Sequence, residues 1–411
     1  MSFPPEIIER FILHVSSDKT DTPRQRRANL STYCRVSRTW CGLAQRLLFA
    51  EISTANGATG DTVEITALLA RTLIDSPHTL SYVKTLFLRI SISYPRNPLI
   101  KIIENLTNLD GLRIIHLKYE ETPLHAGLLK VLPSALSSTR LTSLGLSDLT
   151  RVPLSILGYS LALEELVIKH STFVIPDPLE EAITNPATKR PSPKVFILST
   201  SSSGEVDILE GILREDGPLD ISRITKFWAI DRSDGDGAHS LICKFTSAIA
   251  SSLEDVLIDP PTSCFQSVEL TEQFPSEKLS SLRIAQFSVL QCNSDEYNAV
   301  PWVTSAIARL CNPEKLETIK LHCEFRDLDS RTDEGLLKQG WAQFDSKLVP
   351  RRFSNLRKLD ITCYNEQSEA EGVTLLMNLT ALLDGASEEI LMIDCSNDYS
   401  YVDLVGPEWI R

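Results

Sequence analysis

Leu141-Thr142-Ser143-Leu144-Gly145-Leu146 and Leu163-Glu164-Glu165-Leu166-Val167-Ile168 share one pattern, apolar-x-x-apolar-x-apolar. It recurs at Val83-x-x-Leu86-x-Leu88, Leu112-x-x-Ile115-x-Leu117, Leu253-x-x-Val256-x-Ile258 and Leu279-x-x-Leu282-x-Ile284, then at Leu316-x-x-Ile319-x-Leu321 and Leu356-x-x-Leu359-x-Ile361. Val195-Phe196-Ile197-Leu198, Ile224-x-x-Phe227 and Leu391-x-Ile393 are weaker copies. With the second apolar residue as anchor, the copies sit at 86, 115, 144, 166, 196, 227, 256, 282, 319, 359 and 391. Most intervals lie close to the leucine-rich-repeat period of about 20–29 residues, with insertions.

Between the anchors lie stretches with helical spacing. Val63, Ile65, Leu68, Leu69 and Leu73 form one, and Ile100, Ile103 and Leu106 another. Val303, Ile307 and Leu310 form a third, and Val373, Leu376, Leu379 and Leu383 a fourth. Apolar residues at such intervals share one helix face. Strand followed by helix, stacked about eleven times over 51–411, predicts an α/β chain. Its form is a curved leucine-rich-repeat solenoid with parallel strands concave and helices convex. The asparagine usual at a fixed offset is missing. Polar, Pro- and Ser-rich stretches at 184–193, 199–204, 231–237 and 260–275 read as surface insertions.

Residues 1–50 have a different character. Pro5-Glu6 suits a helix start, with proline in the first turn and a carboxylate at the positive end of the dipole. Ile7, Ile8, Phe11, Ile12 and Val15 then form one stripe. Thr22-Pro23 reads as a second start, and Leu30, Cys34, Ser37, Trp40, Ala44, Leu47 and Leu48 continue at helical spacing. The segment holds eight Lys/Arg against four Asp/Glu, or +4, in a chain of net −13; the remainder is −17. A basic terminus on an acidic body predicts an acidic partner for the terminus.

Phe3-Pro4-Pro5-Glu6-Ile7-Ile8 followed by Val36-Ser37-Arg38-Thr39-Trp40 resembles an F-box, as found in many fungal proteins that join it to degenerate leucine-rich repeats. The resemblance covers 1–50. It implies a substrate-recognition subunit of an SCF-type cullin–RING ubiquitin ligase, with the helices on the Skp adaptor and the repeats on a protein substrate. It also implies Pro4, Pro5, Ile7, Ile8, Phe11, Ile12, Val36 and Trp40 as adaptor contacts. Arg35 stands where the family usually has an apolar residue, and 18–29 is long and basic. Two alternatives stay open: the helices are only the cap that a solenoid needs at its end, or the chain is a repeat scaffold unrelated to ubiquitin.

In each repeat, residues between the anchors point away from the core. They predict a basic column, Arg89, Lys118 and Lys169, and an apolar patch of Val195, Ile197, Trp228, Ile230 and Leu257. This face is expected to bind an acidic or phosphorylated protein segment.

Chemistry is sparse. No GxGxxG, P-loop, GxSxG, HExxH or CxxC occurs, so no catalytic residue, cofactor or metal is expected. Cys323, Cys363 and Cys395 follow the last apolar position of their repeats by two residues and read as small core residues. Asp231-x-x-Asp234-Gly235-Asp236-Gly237 reads as a turn, lacking the layout of a calcium loop. Nine scattered cysteines and the lack of a long apolar run or leader predict a cytoplasmic or nuclear protein. Negative charge disfavours nucleic acid.

Overall fold

The computed structural model describes residues 4–16, 23–53, 69–90, 96–106, 108–116, 126–137, 140–175, 189–231, 236–259, 273–292, 299–326, 334–348, 352–365 and 391–396. The expected helix at 373–383 and the start of the one at 62–74 lie outside them. Two compact units divide the chain, Met1–Ser192 and Pro193–Arg411.

The first unit opens with α1 (Pro5–Ser16), α2 (Pro23–Tyr33) and α3 (Arg38–Leu48). They enclose a small core of Ile8, Ile12, Leu30 and Ala44, with Tyr33, Trp40, Leu43 and Leu47 packed around it. Strands β1 (Glu51–Ser53), β2 (Thr85–Ile90), β3 (Gly111–His116), β4 (Ser143–Ser147) and β5 (Glu165–Lys169) then pair in sequence order, all parallel. Helices α4 (Arg96–Asn105) and α5 (Ala126–Leu136) lie between strands in the chain. α5 buries Leu128, Val131, Leu132, Ala135 and Leu136, the 3.6-residue face of a helix on a sheet.

The second unit repeats the plan. Strand β6 (Val195–Thr200) precedes α6 (Ser203–Leu213), and β7 (Lys226–Asp231) precedes α7 (Asp236–Ile249). Next come β8 (Asp255–Ile258), β9 (Ile284–Cys292), α8 (Val300–Ala308) and β10 (Thr318–Arg326). The last are α9 (Glu334–Lys347), β11 (Lys358–Asn365) and β12 (Leu391–Ser396). Its strands again pair in order and parallel. Parallel neighbours need a crossover, which helices and short 3-10 turns supply in the connections that the structure describes.

Register fixes the anchors. In the first unit Leu86, Leu112 and Leu144 align, with Leu166 beside Leu144. In the second, Phe196, Phe227, Val256, Ala285, Ile319 and Leu359 align. All ten are 0% exposed. Two expected anchors are therefore corrected, each by three residues. Leu109-x-x-Leu112-x-Ile114 is the working frame of β3, not the frame on Ile115. Leu282-x-x-Ala285-x-Phe287 is that of β9, not the frame on Leu282. In each case two apolar triplets overlap and the first residues of both are buried, so strand pairing makes the choice: Leu112 lies beside Leu86 and Leu144, and Ala285 beside Val256 and Ile319.

Hydroxyls and other short side chains replace the missing asparagine. Ser252 and Ser281 stand four residues before their anchors. Their Oγ atoms donate to the carbonyls of Ile224 and Ser251 at 2.8 and 3.0 Å. Asn355 Nδ2 does the same to Glu314 at 2.6 Å. Thr142 and Thr225 donate to Asp110 and Lys194. Each bond ties one repeat to the preceding one and satisfies carbonyls in the turns.

The stacked cysteines are in register at the backbone, Cys323 beside Cys363 and Cys363 beside Cys395. Cys323 is 0% exposed, as expected of a core residue.

Candidate functional site

Three surfaces carry the residues that the sequence nominates. The first is the amino-terminal helix trio. Pro4 begins α1 by accepting from the N–H groups of Ile7 and Ile8 at 3.0 and 3.2 Å. Ser37 caps α3, its Oγ accepting from the Trp40 N–H at 3.4 Å. The Val-Ser-Arg-x-Trp run is thus a helix start with one aromatic aimed back at α1. Phe11, Tyr33 and Trp40 form a ring cluster with centroids 5.5–6.0 Å apart, and edge-to-face geometry of this kind is favourable.

The eight nominated residues separate into two sets. Ile8 (4%) and Ile12 (0%) are buried in the trio's own core and offer no surface, which corrects their expected role. Trp40 is half-buried. Pro4, Pro5, Ile7, Phe11 and Val36 are exposed, with Ile7, Phe11 and Val36 at 51%, 48% and 58%. Leu13 joins them at 44%. Four of the eight large exposed apolar side chains among the described residues thus fall within 7–36. Arg10, Arg35 and Arg38 are exposed on the same helices and the turn between them.

The second surface is the outward strand face of the first unit. Arg113 lies across Gly145, where a Cβ would meet its Cγ at 3.0 Å. Its guanidinium carbon stands 4.8 Å from the Phe87 ring centre. Burial pushes the Lys169 ammonium down to about 8, the like charge of Arg113 adds to this, and Asp148 opposes it. The expected basic column does not form as drawn: beside Arg89 the register places Ile115, then Ser147. Lys118 lies outside the described residues. Arg113, missed by the shifted frame, is the cation coupled to Lys169.

The third surface is the outward strand face of the second unit. Ile197 (1%), Ile230 (2%) and Leu257 (0%) are buried, so among the described residues the expected open apolar patch does not form. The runs Val195–Leu198 and Val256–Ile258 are apolar without alternation, which is how parallel strands covered on both faces read. Trp228 is half-buried and engaged: its Nε1 donates to Asp255 Oδ1 at 3.2 Å, and Lys226 Nζ lies 3.8 Å from its ring centre. Gln286 Nε2 donates to the same Oδ1 at 2.8 Å, and Lys226 approaches Oδ2 at 3.8 Å. One carboxylate therefore joins three strands.

Beyond it, Lys320, His322 and Asp360 occupy β10 and β11, and Lys358 bonds Asp360 at 2.7 Å. Both ring nitrogens of His322 are buried without a hydrogen-bond partner. Burial, reinforced by Lys320 and partly offset by Asp360, pushes this imidazole down to about 4. Met392 on β12 is 56% exposed. Among the described residues no set of three or more His, Cys, Asp or Glu is placed to hold a metal ion, and no helix is long and apolar enough to cross a membrane.

By its own geometry the chain is a strand-and-helix repeat protein. No family model matches it, and no curated protein does. Among solved structures it is similar to a protein from Bacteroides fragilis at 13% identity and TM-score 0.39, covering 69% of this chain and 82% of that one. It is also similar to an internalin from Listeria monocytogenes at 13% identity and TM-score 0.34, covering 84% and 80%.

Proposed function

We propose that the protein is a recruiting subunit of a cullin–RING ubiquitin ligase, its amino-terminal helices docking a Skp-type adaptor and its repeats holding a protein substrate. One observation carries this reading. Of the eight positions that the F-box-like motif assigns to adaptor contact, Pro4, Pro5, Ile7, Phe11 and Val36 are exposed and Trp40 is half-buried, while Ile8 and Ile12 lie in the core beneath them. Apolar side chains grouped in this way mark interaction sites. The arginines around them suit an acidic partner.

The protein performs no chemistry in this reading. It holds substrate and ubiquitin-carrying enzyme together, raising their effective concentration. Each unit offers its own candidate substrate face: Arg113 and Lys169 in the first, and Lys226, Trp228, Lys320, Asp360 and Met392 in the second. An acidic or phosphorylated segment suits the first of these.

A second reading, a repeat scaffold whose helices only cap its end, draws on the join between α3 and the sheet. Arg46 stacks on Tyr82 at 5.8 Å, and Ala50 accepts from the N–H groups of Lys84 and Thr85 at 2.8 and 2.9 Å. Co-purification with a Skp-type adaptor separates the readings.

A further inference from the structure

The helix side of the second unit holds a pair that the interaction reading leaves unused. α7 places His239 and Cys243 one turn apart, with Cys243 Sγ 3.3 Å from His239 Nε2. His239 is 0% exposed and Cys243 4%. Cys243 lines a cavity of about 530 Å³ together with Lys244, Ser247, Glu277, Lys278 and Arg309. That volume lies within the range of small-ligand sites, ~300–1,000 Å³.

Three cations and one carboxylate give the cavity a positive balance. Glu277 is occupied by Arg309, whose Nε and Nη2 both reach its Oε1 at 3.2 Å. Lys278 Nζ donates to Ser247 Oγ at 2.7 Å. Behind the pair, the Trp302 ring stands 5.9 Å from that of His239, and its indole N–H is buried with no hydrogen-bond partner. A thiol lining the cavity, an imidazole in contact with it and surplus positive charge around it are together the components of a reactive thiol site.

We propose that Cys243 is a modification site that exchanges with a small anionic disulfide, the class to which oxidised glutathione belongs. His239 Nε2 takes the thiol proton. The Cys243 thiolate attacks one sulfur of the disulfide, forming a new S–S bond as the old one breaks. The other half leaves as a thiolate and accepts the proton from His239. Cys243 is oxidised to the mixed disulfide, half of the reagent is reduced to a thiol, and an added thiol reverses the step. Lys244, Lys278 and Arg309 draw the carboxylates of the reagent into the chamber.

The test uses the full chain with oxidised glutathione, an acid quench, intact mass and peptide mapping. The expected result is a single adduct on Cys243, removed by dithiothreitol and formed before any on Cys311, which is exposed. His239→Gln should slow Cys243 about tenfold while Cys311 keeps its rate. Circular dichroism checks that this variant folds. A measurement on the unaltered chain stands beside it: an uncharged disulfide such as hydroxyethyl disulfide should lose the preference for Cys243 over Cys311. Adduct on Cys311 with Cys243 untouched in the folded protein overturns the proposal. So does equal selectivity for the anionic and uncharged reagents.

Discussion

The Arg113 guanidinium carbon stands 4.8 Å from the centre of the Phe87 ring, one strand away, and the arginine stem lies across Gly145 on the other side. Phe87 is only 7% exposed beneath it. The pair bears on the glycine between Leu144 and Leu146: a Cβ at 145 would meet the arginine Cγ at 3.0 Å, so the stem would have to shift by a few tenths of an ångström. Gly145→Val should therefore cost about 1–2 kcal/mol. In an Arg113→Ala background the same change should cost much less. Urea unfolding of the four proteins in this cycle measures the coupling.

Lys169 makes stability depend on alkaline pH. Its folded value of about 8 lies below the ordinary 10.5, so between them the unfolded chain binds more protons. The penalty is full below pH 8 and fades as pH rises towards 10.5. Lys169→Met should stabilise the protein by roughly 1–2 kcal/mol at pH 7 and remove that slope. Thermal melts at pH 7, 8.5 and 10 test this.

His322 acts at the acid end. Its folded value near 4 lies below the usual 6.5, so stability is intact above pH 6.5 and is lost as pH falls towards 4. His322→Leu should be neutral or mildly stabilising at pH 7.5 and should flatten that loss by roughly 1–3 kcal/mol. Urea midpoints between pH 7.5 and 4.5, compared with the parent, provide the check.

Asp255 collects Trp228, Gln286 and Lys226 on one carboxylate. Asp255→Ala leaves an indole N–H and an amide without their acceptor in a half-buried setting. A loss of about 1–3 kcal/mol is expected. Trp228 fluorescence should change with it, whereas Lys226→Met, which keeps the acceptor, should cost less.

Within the helix trio, burial predicts opposite outcomes for neighbours. Ile12→Ala removes a fully buried side chain and should cost about 2–4 kcal/mol. Ile7→Glu, at a residue 51% exposed, should leave the melting temperature within about a degree or two of the parent. Calorimetry of the two variants tests the assignment of surface and core.

Periodicity made the repeats legible because the anchors must be large and apolar to fill the space between sheet and helix. It failed where two frames overlapped. Leu109, Leu112 and Ile115 satisfy either reading, and only pairing with Leu86 and Leu144 chooses. Ala285 hid the β9 anchor because a small residue fills that place. The shift also hid Arg113 and Gln286, which carry much of the outward face. Alternation alone predicts Ile197 and Leu257 as open surface, whereas their unbroken apolar runs signal cover on both sides. In the amino-terminal trio the motif names buried Ile8 and Ile12 alongside the surface residues, and helical spacing cannot tell Ile7 from Ile8. Their separation depends on where α2 and α3 pack. The contact between Cys243 and His239 was present as an i, i+4 spacing, but the cavity beside it depends on segments over 30 residues away.

Adaptor docking is the most direct test. Calorimetric titration of the full chain with a Skp-type adaptor should give saturable binding, abolished by the paired change Ile7→Glu and Val36→Asp in a protein whose circular dichroism is unchanged. No binding by the parent chain, or undiminished binding by the folded variant, would contradict the assignment of these helices.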